Sequence, residues 1–109
     1  HSLGGYFALW CLFTHPEKFL NYIAISPSIW WNGHELLNMA KHFIANERKN
    51  RIFIAVGERE GFMVNDATKM AALLAEHDLL VESYVAPDEN HASVVPTVLS
   101  RALRFSAKK

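Results

Sequence analysis

Two short, unbroken apolar runs constrain this chain more than any other feature. Tyr22-Ile23-Ala24-Ile25-Ser26 is closed by Pro27, and Ile52-Phe53-Ile54-Ala55-Val56 by Gly57. Runs of that length with no polar side read as strands buried on both faces. A third run, Leu80–Ala86, carries Glu82 and Ser83 and is closed by Pro87; its polarity predicts a strand nearer a sheet edge. Helical patterns lie between and around them. Leu3–Thr14 is apolar on every side and predicts a buried helix, stopped at His15-Pro16. His34–Ala45 gathers Leu36, Ala40, Phe43 and Ile44 on one face, and a charged connection, Glu47-Arg48-Lys49-Asn50, follows. Asp66–His77 gathers Met70, Leu73, Leu74 and His77. Pro96–Phe105 takes Leu99, Ala102 and Leu103 as its inner stripe, with Pro96 suited to a first turn. Strands alternating with helices predict an α/β fold, a parallel sheet with helices on its faces.

The 109 residues suffice for one domain and not for two. Eleven basic and eleven acidic residues give a formal net charge of zero, so nothing steers the chain to nucleic acid or to an anionic membrane. No apolar run reaches the roughly 18 residues of a membrane span. The one cysteine, Cys11, sits in an apolar run and reads as a small buried hydrophobe. No targeting segment is read, and no compartment is assigned beyond a cytoplasmic default.

In a parallel sheet of this kind the working residues lie on loops leaving the carboxyl ends of strands. Here those loops are Pro27–Gly33, Gly57–Asn65 and Pro87–Ser93, together with the chain start. His1-Ser2-Leu3-Gly4-Gly5 opens the first helix. A strand-to-helix elbow of the form G-x-S-x-G exposes a serine on a strained turn. The N–H of the residue after the serine, Leu3, then faces the position of an oxyanion. This chain shows only x-S-x-G-G, which by itself is also a plain Gly-rich helix start. A serine nucleophile further needs a base and an acid to orient it, in the chain order serine, acid, histidine. His91 lies in the loop after the third strand, where the base belongs. Glu58 and Glu60 follow the second strand, where the acid belongs. The other histidines read as structural or solvent-facing; His1 is a poor base because neighbours on a tight elbow point apart. No pair has metal-ligand spacing such as H-E-x-x-H, and no nucleotide-binding glycine pattern occurs, so no cofactor is expected.

His1-Ser2-Leu3-Gly4-Gly5, Ile25-Ser26-Pro27-Ser28-Ile29-Trp30-Trp31-Asn32, Val56-Gly57-Glu58-Arg59-Glu60, Glu89-Asn90-His91-Ala92-Ser93-Val94-Val95-Pro96 and Leu103-Arg104-Phe105 resemble the putative-esterase family of α/β-hydrolases. Within it they are closest to the esterases that open enterobactin-type and bacillibactin-type siderophore trilactones. The resemblance implies Ser2 as nucleophile, His91 as general base, Glu60 as the acid and the Leu3 N–H as oxyanion donor. It also implies that residues 1–109 form the C-terminal half of the fold, three parallel strands with flanking helices. The first strands and a second oxyanion donor would come from a missing N-terminal half, or a second copy would pair through the Tyr22–Ser26 edge. Trp30 and Trp31 are candidates to bind a small-molecule ester, stacking on a flat aromatic acyl group such as a catecholate; core packing is the alternative for both. The implied activity is hydrolysis of carboxylic esters through an acyl-enzyme. An acyltransferase or thioesterase on the same scaffold is one alternative, and an inactive fragment serving only in association is another.

Overall fold

The computed structural model describes residues 1–44 and 49–107. Helix α1 (Leu3–Thr14) leads into strand β1 (Asn21–Ile25), followed by α2 (Trp31–Lys41), β2 (Arg51–Gly57), α3 (Phe62–Glu76), β3 (Leu80–Ala86) and α4 (Val94–Ala107). The three strands form one parallel sheet in the order β1-β2-β3, with Ile23 opposite Phe53 and Phe53 opposite Glu82. The expected α/β class and the edge position of the polar third strand are both present among the described residues.

The pleat divides the core in two, because alternate residues of a strand face opposite sides. Tyr22 and Ala24 of β1 and Ile52, Ile54 and Val56 of β2 pack under α1, α2 and α3, against Leu9, Leu12, Leu36, Met70 and Leu74. Ile25, Phe53 and Ala55 face the other way, onto Val94, Val98, Ala102 and Phe105 of α4. Each fully buried side chain of this size contributes about 1.5–3 kcal/mol. Cys11 packs half-buried against the larger cluster.

All four helices differ from their expected bounds or faces; α1, expected to be a buried helix, buries Gly5, Leu9 and Leu12 and leaves Leu3 and Phe7 exposed. The α4 stripe is Val94, Val98, Ala102 and Phe105, while Leu99 and Leu103 are exposed. The helix starts two residues earlier than expected and takes the rotation that brings Phe105 against Phe53, ring centroids 5.8 Å apart. Helix α3 begins at Phe62 rather than Asp66, because Gly61 (φ 63) ends the loop one turn sooner. Helix α2 stops at Lys41, and Ile44 is exposed instead of joining Leu36, Ala40 and Phe43. Ala45, Glu47 and Arg48 lie outside the described residues.

Two glycines mark close approaches. A Cβ on Gly5 would sit 2.9 Å from Pro27 Cα, so α1 closes on the end of β1 only with glycine there. A Cβ on Gly57 would run into the Glu89 carbonyl, which brings the loop after β3 against the end of β2.

Candidate active site

The carboxyl ends of the three strands and the start of α1 converge. Ser2 precedes α1 with φ 53 and ψ −118, a backbone region that costs a residue with a side chain about 1–3 kcal/mol. The Ser2 carbonyl accepts the N–H groups of Tyr6 (3.0 Å) and Ser28 (3.1 Å), which hold the turn in place. The second of these bonds belongs to a parallel bridge between Ser2 and Pro27. Leu3 is the first residue of the helix, so its N–H has no partner within it.

His91 is fixed by its own loop. The Asn90 side-chain oxygen accepts the N–H groups of Ala92 (2.8 Å) and Ser93 (2.9 Å), and Ser93 Oγ accepts the Asn90 N–H (2.9 Å). This reciprocal arrangement has the logic of a capping box at a helix start. It gives Asn90 and Ser93 of the Glu-Asn-His-Ala-Ser segment a local structural role. His91 Nε2 is hydrogen-bonded to Ser2 Oγ, and its Nδ1–H donates to Glu60 Oε1 at 2.6 Å.

The Glu60 side chain is 1% exposed. A carboxylate so buried needs its oxygens satisfied. Oε2 accepts the Gly57 N–H at 2.6 Å and the Ser26 hydroxyl at 2.5 Å, leaving Oε1 for His91. Glu58 points elsewhere, and its Oε1 accepts the Asp88 N–H at 2.9 Å. Together with an Arg59–Asp88 ion pair (3.1 Å), it stitches the loop after β2 to the loop after β3. The structure thus brings Ser2, His91 and Glu60 into one chain of contacts and leaves Glu58 outside it.

His1 stacks on His91, ring centroids 4.3 Å apart, and its Nε2–H donates to the His91 carbonyl at 2.9 Å. Its ring therefore packs against His91, and it is His91 that bonds Ser2 Oγ. Trp30 and Trp31, 42% and 46% exposed, line a cavity of about 380 Å³ with Leu3, Met63, Ser2 and His91. Neither indole is core. Among the described residues, no cluster of three or more His, Cys, Asp or Glu side chains is gathered as for a metal ion. No helix among the described residues is long and apolar enough to cross a membrane.

Sequence reasoning misses four contributors. Ser26, buried with φ 47, reads in the sequence only as the end of a strand; a polar residue closing an apolar run is the available signal. Met63 falls on the expected loop and reaches the cavity because α3 starts early. Tyr6 and Glu35 form a side-chain hydrogen bond beside Trp31. Burial and then Glu35 push the Tyr6 phenol up to about 12, while the Tyr6 and Asn32 hydrogen bonds hold the Glu35 carboxyl below its ordinary value.

A family profile described as putative esterase matches residues 1–94. A ferri-bacillibactin esterase of Bacillus subtilis is 40% identical over 117 residues, covering 97% of this chain and 40% of its own length. The structure of the BES protein from Bacillus cereus, 38% identical, superposes with a TM-score of 0.85 over 100% of this chain and 44% of its own. The siderophore hydrolase EstA from Aspergillus nidulans, 29% identical, superposes with a TM-score of 0.90 over 97% and 46%. The chain spans less than half the length of these relatives.

A carboxyl whose pKa is lowered by folding adds stability above its unfolded value, and that stability is lost as pH falls through the folded value. For Glu35 the ordinary value is 4.5. Wild type and Glu35→Gln should therefore differ in thermal midpoint at pH 7, and the gap should close as pH is lowered below that value. Thermal melts by circular dichroism across this range check it.

Proposed function

This chain belongs to the putative-esterase family, and on that premise we propose that it carries the catalytic serine, histidine and acid of a carboxylic ester hydrolase. The observation that carries the reading is the continuous contact from Ser2 Oγ through His91 to the buried Glu60. Ser2 Oγ attacks the ester carbonyl carbon while His91 Nε2 takes its proton. Glu60 keeps the Nδ1 proton in place and stabilises the imidazolium that forms. Negative charge on the carbonyl oxygen is met by the Leu3 N–H. Collapse of the tetrahedral species expels the alcohol, which takes its proton from His91 and leaves an acyl group on Ser2. Water then attacks that acyl carbon, His91 takes the water's proton, and the acid departs as the proton returns to Ser2 Oγ.

The substrate class we propose is a siderophore ester. Its support is the activity for which the Bacillus subtilis relative is named and the paired indoles beside Ser2, which suit a flat acyl group. We further propose that the chain works as the C-terminal half of a larger hydrolase domain. The relatives are more than twice as long. Leu3 and Phe7 of α1 and Leu99 and Leu103 of α4 stand exposed on the two helices that flank β1, apolar surface that a longer chain can cover.

Three outcomes are expected. In the protein that carries this chain, Ser2→Ala and His91→Ala should each slow cleavage of a nitrophenyl ester roughly a thousandfold or more, with no comparable further loss when combined. A serine-directed fluorophosphonate should label Ser2; label on another residue overturns the assignment, and acyl transfer without hydrolysis points to the acyltransferase alternative. The 109 residues alone should associate in light scattering and cleave the ester slowly, since on this proposal a further oxyanion donor comes from the rest of the domain, and one such donor is worth roughly a hundredfold or more in rate. A fully active, cooperatively melting monomer overturns the larger-domain proposal.

A further inference from the structure

The segment that carries the two indoles has a costly backbone. Asn32, Gly33 and His34 are all left-handed, with φ of 53, 65 and 59. Glycine takes that conformation freely; asparagine tolerates it, and histidine does so at a cost. Three such residues in succession persist only if their surroundings over-determine them. Two side-chain ties flank the segment. On one side, His34 Nε2–H donates to both oxygens of the buried Asp66 carboxylate of α3, at 3.1 and 3.2 Å. On the other, the Tyr6 hydroxyl donates to Glu35, and the Tyr6 ring meets Trp31 edge-on at 5.4 Å and 80°.

Tyr6 is no arbitrary anchor. It stands one helical turn after Ser2, and its own N–H binds the Ser2 carbonyl. A tie from Glu35 to Tyr6 therefore sets the position of Trp31 relative to the helix turn that presents the Ser2 hydroxyl. The cavity wall and the attacking atom share one reference frame.

We propose that Tyr6 and Glu35 are positioning residues that hold Trp31 at a fixed distance from Ser2, and that this tie sets the preference of the cavity for planar aromatic over small alkyl acyl groups. The proposal rests on the hydrolase reading given above. An aromatic acyl group uses the indole face and is sensitive to its placement; an acetyl group is too small to depend on it.

The test compares 4-nitrophenyl benzoate with 4-nitrophenyl acetate in the protein that carries this chain. Glu35→Ala should raise KM for the benzoate about tenfold more than for the acetate. Glu35→Gln, whose amide oxygen still accepts from Tyr6, should restore most of the preference. Tyr6→Phe keeps the edge contact with Trp31 and removes the hydrogen bond. Combining it with Glu35→Ala should add little, because both act through one bond. Equal losses on the two esters, a Gln variant no better than Ala, or a Glu35→Ala protein indistinguishable from wild type overturns the proposal. If wild type cleaves neither ester, the hydrolase reading fails, and the tie is judged by quenching of tryptophan fluorescence by free benzoate. Weaker quenching-derived affinity in Glu35→Ala then supports the tie; equal affinity or no binding overturns it.

Discussion

One buried carboxylate gathers the carboxyl ends of the sheet. Glu60 receives Ser26 from the end of β1, Gly57 from the end of β2 and His91 from the loop after β3. Each donor stands at or beyond the carboxyl end of a different strand, so a single side chain ties the three ends together. A charge nearly out of water is tolerated only when such donors surround it. Removing any of them leaves the remaining charge poorly paired, so Ser26 and Gly57 matter to His91 without touching it. Gly57 has a second duty, since any Cβ there would strike the Glu89 carbonyl and push the histidine loop away.

The strained turn at Ser2 depends on the same convergence. Its carbonyl is held by Ser28, from the loop after β1. The close approach of Gly5 to Pro27 presses α1 onto the end of that strand. The serine is thus held on one side by β1, and the histidine that bonds it is held on the other by β2 and β3. Strain of about 1–3 kcal/mol at such a position is sustained by the packed sheet beneath, whose β1 and β2 are covered by α1–α3 on one face and α4 on the other.

Much of this is legible from residue order. Strands closed by Pro27, Gly57 and Pro87 announce their loops, and a serine, an acid and a histidine on successive strand ends meet because parallel strands place those ends side by side. The spacing from Gly57 distinguishes Glu60 from Glu58 only through the family resemblance. In the structure the difference is physical: Glu60 turns inward beneath Ser26, and Glu58 turns to the Asp88 N–H. What stays hidden depends on tertiary choice. The α4 stripe follows Phe105 to Phe53 and not the periodicity that starts at Pro96. The left-handed run at Asn32–His34 follows a Trp-Trp pair and carries only the Asn32-Gly33 turn signal, which does not announce a third left-handed residue at His34. Its supports, Tyr6 and Asp66, are distant in sequence.

The most direct test of the role given to Glu60 is the turnover rate of Glu60→Gln beside Glu58→Gln, measured on one ester in the protein that carries this chain. Glutamine keeps the size of the side chain and removes the charge that, on the proposed mechanism, stabilises His91 as it takes a proton. The account predicts a loss of roughly a hundredfold or more for Glu60→Gln and only a few-fold for Glu58→Gln. Small and equal losses in both would contradict it and leave Ser2 and His91 working as a pair, with Glu60 only a structural anchor.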